Sequence, residues 1–236
     1  MIGYGTNIVR DGLVLYLDAA NPKSYPGTGT TWYDLSGDGN HGTLVNGTAY
    51  NSNNMGTMSF DGVNDSSDFG NILQLNLSSR TYCCWYKSNI ISSSVNYFLI
   101  TKTDNGSTAY RQALGFNTNG DLYVILRGAA NSNYDMTATN HKKDTNWHYI
   151  VWAIDRNSNQ YLYQDNILLS TSNISPINTN NFILNRPLRI GSYNSTSNSP
   201  ISFFNGNIAN VQVYDRSLSA QEVSQNFNAI KSRYGL

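Results

Sequence analysis

Trp147-His-Tyr-Ile-Val-Trp-Ala-Ile-Asp155, Arg156-Asn-Ser-Asn159 and Gln160-Tyr-Leu-Tyr-Gln-Asp165 form the stretch that decides the fold class. Trp147, Tyr149 and Val151 alternate with Ile150, Trp152 and Ile154, so both faces of the first run are apolar. A strand apolar on both faces belongs in the middle of a sheet and is covered on each side. Arg156–Asn159 supplies the turn, and the second run returns as the partner of a hairpin.

The same pattern recurs outward from this hairpin. Arg111–Asn117 and Asp121–Arg127 flank Asn119-Gly120, a pair suited to the positive φ angles of a type I′ turn. Gly12-Leu-Val-Leu-Tyr-Leu-Asp18 sets Leu13, Leu15 and Leu17 against Val14 and Tyr16. Arg80–Lys87, Tyr97–Thr101, Pro187–Tyr193 and Phe203–Tyr214 are further β-like runs, whereas the Ser-, Thr- and Asn-rich pieces 170–181 and 194–199 read as loops. One helix is expected over about 219–233. Ser219-Ala-Gln-Glu222 is a capping box, Val223, Phe227, Ile230 and Tyr234 form an apolar stripe, and Gly235 ends it. With an N-terminal arm at about 1–10 and neither linker nor repeat, residues 1–236 read as one all-β, two-sheet antiparallel sandwich domain.

Composition narrows the partners. Charged residues make up 13% of the chain, about half the usual ~25%, and the formal net charge is zero. The longest basic run is Lys142-Lys143, too small a footprint for nucleic acid. No stretch approaches the ~20 apolar residues of a membrane-spanning helix. Met1–Asn7 lacks the basic and apolar regions of a secretory signal, and Cys83 and Cys84 are neighbours on opposite strand faces, unsuited to a mutual disulfide. A reducing site of synthesis is expected, and the glycosylation patterns at Asn46, Asn76, Asn105 and Asn194 are read as chance. An uncharged surface suits a subunit of a larger assembly, so homo-oligomers are expected.

Four elements in order resemble the concanavalin A-like lectin/glucanase superfamily in its laminin G-like branch. They are Trp32-Tyr-Asp-Leu-Ser-Gly-Asp-Gly-Asn-His-Gly-Thr-Leu44, Phe60-Asp-Gly-Val-Asn-Asp65, the Trp147 hairpin, and Leu188-Arg-Ile-Gly191 with Phe204–Ser219. The resemblance implies a jelly-roll sandwich. The two ends, Val9–Pro22 and Gln225–Gly235, resemble laminin G-like domains of tailed-phage structural proteins, particularly marine and cyanobacterial ones. That implies a decoration, fibre or tail-associated virion protein, located in the virion, with other virion proteins as partners and host-surface glycan as a ligand. A free-standing lectin is the alternative.

The superfamily includes glycanases, but glycoside hydrolysis needs two carboxylates flanking the scissile bond. The sequence has a single Glu, Glu222, in the capping box, and Asp61, Asp65 and Asp68 sit in a turn element that the family uses structurally. No enzyme is therefore expected, and a glycoside hydrolase is the least favoured reading. His41, His141 and His148 are scattered and match no zinc spacing, and Gly37–Gly42 lacks the Lys and helix of a phosphate loop. The resemblance implies Ca²⁺ at Asp34, Asp38, Asn40, Asp61, Asn64 and Asp65, although Ile208-Ala-Asn-Val211 replaces an acidic pair of the family. The alternative for these six residues is Asx-turns. For sugar stacking and hydrogen bonding the loop candidates are Trp32, Tyr33, His41, Tyr110, Tyr134 and Tyr193, with Tyr50 beside them.

Overall fold

A computed structural model describes residues 7–103, 110–128, 133–180 and 182–236. The glycosylation pattern at Asn105 and the first six residues of the arm lie outside them. In chain order the strands are β1 (Leu13–Asp18), β2 (Thr31–Trp32), β3 (Gly42–Val45), β4 (Ala49–Asn51), β5 (Thr57–Asp61), β6 (Ser66–Asp68), β7 (Arg80–Ser88), β8 (Tyr97–Thr103) and β9 (Arg111–Phe116). There follow β10 (Leu122–Arg127), β11 (Met136–Ala138), β12 (Trp147–Ile154), β13 (Asn159–Gln164), β14 (Ile167–Asn173), β15 (Leu188–Ile190), β16 (Tyr193–Asn194), β17 (Pro200–Ile201) and β18 (Asn205–Tyr214). Helix α1 (Ala220–Ile230) closes the chain with a 3₁₀ turn at Lys231–Tyr234.

Two antiparallel sheets form the sandwich. The first runs β14-β13-β12-β7-β18-β5-β4, and the second β11-β10-β9-β8-β15-β6-β3-β2. Asn205–Ile208 of β18 pairs with β5 while Asn210–Tyr214 pairs with β1, so β1 and β5 lie end to end along one flank. The hairpin β16–β17 stands apart from both sheets.

The central strand expected at Trp147 is β12, buried along its whole length between β7 and β13. Its period of two sends Ile150, Trp152 and Ile154 into the core between the sheets, and Trp147, Tyr149 and Val151 to the outer face. Cys84 and Cys83 divide in the same way, both free and buried. The outer face is covered by α1. Phe227 stacks on Trp85 at 5.6 Å with an 11° interplanar angle, and Tyr234 sits 4.6 Å from the same indole. The capping box forms as expected, and Gly235 takes the left-handed conformation at φ 75°.

Three expectations are corrected. Leu13 leaves the face of Leu15 and Leu17, because a register shift between Leu13 and Leu15 turns it toward α1. The turn before β10 has a positive φ only at Gly120, whose N–H donates to the Asn117 carbonyl, so it is not type I′. Residues 170–173, read as loop, belong to β14, because β13 offers them a complete ladder despite their polar side chains.

Candidate functional site

On β9 the alternation of Arg111-Gln-Ala-Leu-Gly-Phe116 shapes a surface. Leu114 and Phe116 enter the main core, and Gln112 accepts the Tyr82 hydroxyl at 2.7 Å. Arg111, Ala113 and Gly115 are left on the outer face of the second sheet. Their neighbours are larger: Tyr123 lies opposite Gly115, Ile125 opposite Ala113 and Arg127 opposite Arg111 on β10, with Phe98 opposite Gly115 on β8. Small side chains on one strand between bulky ones on its neighbours make a trough. At Gly115 a Cβ would lie 2.3 Å from the Tyr97 carbonyl oxygen, so only glycine lets β8 approach there.

The hairpin β16–β17 builds the opposite wall. Tyr193 packs on Phe98 with ring centroids 4.8 Å apart, and Ile201 joins the same cluster. The resulting open groove has a volume of about 420 Å³ and is lined by Asn96, Phe98, Arg111, Tyr123, Arg127 and Tyr193 among others. That is within the size of small-ligand sites.

 The groove's polar end is held together by Asp135. It accepts the Tyr123 hydroxyl at 2.7 Å and the Arg127 Nε at 3.0 and 3.1 Å, with a further bond from the Arg127 terminal nitrogen. Burial and the adjacent Asp135 carboxylate push the Tyr123 phenol up to about 12, so at neutral pH it is an uncharged hydroxyl. The hydrogen bond from Arg127 to Asp135 raises the guanidinium pKa further, fixing a planar cation at the rim. Burial likewise raises the Tyr193 phenol. The site therefore offers one part-exposed aromatic ring, Tyr123, backed by the buried Phe98 and Tyr193, beside a planar, preoriented guanidinium.

Of the six aromatic and histidine candidates, the groove contains Tyr193 alone. Trp32 is fully buried in the main core and has no face for a ligand, which corrects that expectation. Tyr33 is exposed and meets His41 edge-on at 5.3 Å, while His41 Nδ1 accepts the Asp34 N–H at 3.0 Å. Tyr110 packs on Phe182 at 5.1 Å, and Tyr134 packs against the core. Sequence reasoning missed Phe98, Arg111, Tyr123, Arg127 and Asp135. The signal available was the Arg-x-Ala-x-Gly alternation of β9, legible as a row of small outward residues ending in a cation.

The six oxygen-bearing candidates form two separate hydrogen-bond systems. Asp34 accepts from the N–H groups of Tyr16, Ser36 and Asn40 and from the Ser36 hydroxyl, and Asn40 donates to the Val14 carbonyl. Asp65 accepts from Gly47 and Asp61, while Asp61 accepts from Val63 and Asn64. Asp38 is exposed on its loop. Carboxylates turned onto N–H donors in this way do not fit a hard cation, which wants those oxygens for itself. Among the described residues no group of three or more His, Cys, Asp or Glu is placed to hold a metal ion.

A second depression, of about 440 Å³, lies between the N-terminal segment, β1 and the end of α1. Its charged groups already face each other: Arg233 pairs with Asp18 at 2.9 Å, and Arg10 lies over the Tyr16 ring. The groove over β9 is the better candidate because the part-exposed Tyr123 and Arg127 face its open space.

The family profile described as the concanavalin A-like lectin/glucanases superfamily matches residues 60–224, more than half of the chain. The chain belongs to this superfamily. Solved structures of the same fold include the binding domain of Paraclostridial Mosquitocidal Protein 1, with a TM-score of 0.73 at 15% identity over 93% of this chain and 52% of that one. The binding domain of Botulinum Neurotoxin DC in complex with SialylT follows, with a TM-score of 0.71 at 15% identity over 94% and 52%. Domain 4 of AbnA, a GH43 extracellular arabinanase from Geobacillus stearothermophilus in complex with arabinotriose, has a TM-score of 0.65 at 14% identity over 92% and 98%. The chain thus spans about half the length of the two toxin structures and nearly all of the arabinanase domain. No curated protein sequence matches it. Among the described residues no helix is long and apolar enough to cross a membrane.

Proposed function

We propose that this superfamily member is a non-enzymatic glycan-binding protein of a phage particle, with its ligand in the groove over β9. The observation that carries the reading is the trough of Ala113 and Gly115 between Phe98, Tyr123 and Tyr193, ending at Arg127 and Asp135. The half-buried Tyr123 ring offers a face for the C–H side of a sugar ring. The Arg127 N–H groups not held by Asp135 can donate to the sugar hydroxyls, and the Tyr123 oxygen, whose proton is donated to Asp135, can accept. The arabinotriose and SialylT complexes are of domains that share the fold, which is consistent with a saccharide ligand here.

Against catalysis, Glu222 is bound to the Ser219 N–H at 2.9 Å and to Arg216 at 2.6 Å, and these hydrogen bonds lower its pKa to about 2. A carboxylate held ionised in this way is no general acid. The virion assignment rests on the resemblance of the two chain ends to tailed-phage structural proteins. Those ends meet: the Val9 N–H donates to Asn226 Oδ1 at 2.8 Å, and the Tyr214 hydroxyl to the Val9 carbonyl at 3.0 Å.

A glycan array followed by calorimetry tests the groove. Tyr123→Ala and Arg127→Ala are each expected to weaken binding of the selected glycan about tenfold or more while the fold persists. Binding to no glycan, or binding indifferent to both variants, overturns the site. Mass spectrometry of purified particles tests the location; glycan binding by a chain absent from particles leaves the free-standing lectin.

A further inference from the structure

A sheet edge left open invites another strand, and folds usually blunt such edges by shortness, charge, proline or a covering loop. In this sandwich most edges are managed. Strands β4, β11 and β2, at the ends of their sheets, have three, three and two residues. The free flank of β1 is covered by the Gly-rich loop: the Tyr16 N–H donates to Asp34, the Tyr16 carbonyl accepts from Leu35, and the Val14 carbonyl accepts from Asn40.

Strand β14 is different. It has seven residues, Ile-Leu-Leu-Ser-Thr-Ser-Asn, with neither a charge nor a proline. Among the described residues its only hydrogen-bonded strand partner is β13, with β11 of the other sheet packed close beside it. Ile167 and Leu168 at its start are 59% and 49% exposed. A register shift opposite Leu162 and Tyr163 sets Leu169 aside as a bulge, so the regular edge is Ser170–Asn173.

We infer that this edge pairs with the same edge of a second copy, antiparallel about a two-fold axis at Thr171. That register sets Thr171 opposite its own copy and Ser170 opposite Ser172 of the second copy, and keeps the faces of both sheets in line. Thr–Thr and Thr–Ser cross-strand pairs are favourable, and no like charges meet. A self-complementary patch of this kind makes an isologous dimer. The zero net charge of the chain removes long-range repulsion between copies. A charged foreign strand would find no partner charge on β14, which favours a second copy over it.

Sedimentation of the full chain over about a hundredfold range of concentration tests this. A concentration-dependent dimer is expected. Thr171→Lys and Thr171→Glu should each weaken association about tenfold or more by placing like charges on the axis. An equimolar mixture of the two should restore it, since Lys then faces Glu. Thr43→Lys, at an exposed position on β3, should leave association unchanged. A chain monomeric throughout, a dimer indifferent to the Thr171 variants, or a mixture that fails to recover would each overturn the proposal. Thermal melts of the variants confirm that they remain folded.

Discussion

At His148 a buried imidazole lies between two carboxylates, with Nδ1 2.8 Å from Asp165 and Nε2 3.0 Å from Asp144. Burial alone opposes the charged ring, but the hydrogen bonds and charges of Asp165 and then Asp144 outweigh it and raise the pKa. Burial also opposes the Asp165 anion, yet His148, the Tyr149 N–H and Lys142 together lower its pKa. The His148 contribution to stability is therefore full below its unfolded value, about 6.5, and is lost as pH rises through the higher folded value. The Asp165 contribution is present above its unfolded value, about 3.9, and is lost as pH falls through the lower folded value. His148→Gln is expected to cost on the order of 2 kcal/mol near pH 5.5 and clearly less near pH 9. Urea melts of both proteins across that range check it; a pH-independent difference would remove the charged clamp.

At the scale of elements, α1 depends on its N-terminus. Ser219 Oγ accepts the Glu222 N–H, and Glu222 accepts the Ser219 N–H. Arg216 then holds Glu222 from outside the helix. Ser219→Ala should cost about 1 kcal/mol, lowering Tm by about 2–4 °C for a chain of this length. Differential scanning calorimetry measures it, and an unchanged Tm would show that docking on the sheet alone fixes the helix. The capping box was fully legible because its partners are three residues apart. Strand β14 was not, because Ser170, Thr171 and Ser172 signal a loop until β13 supplies their hydrogen bonds.

For the whole molecule, the first sheet has two apolar faces and needs two covers. The second sheet covers one, and α1 with the 3₁₀ turn covers Trp85, Tyr149 and Trp147 on the other. A chain ending at Leu218 should expose this face, bind a hydrophobic dye and aggregate, whereas the full chain stays dispersed. Dye fluorescence and light scattering distinguish the two, and a dispersed, dye-free truncation would contradict the two-cover arrangement.

The sequence by itself determined what rests on near neighbours: the period-two runs of β12 and β13, the division of Cys83 from Cys84, and the capped helix with its stripe. It also carried the ordered motifs, of which those from Phe60 onward lie within the stretch that matches the superfamily. Only the tertiary structure decided the groove, because Phe98, Tyr123 and Tyr193 come from strands far apart in the chain and meet only across the second sheet. It also gave Asp34 and Asn40 their place as the cover of β1, where a run of oxygen donors read alone resembles a cation site. Trp32 shows the same division: its loop position marked it for a ligand, but pairing of β2 with β3, Trp32 opposite Gly42, turns it into the core. The physical reason is that backbone pattern is written locally, whereas exposure and neighbourhood depend on which strands the sheets bring side by side.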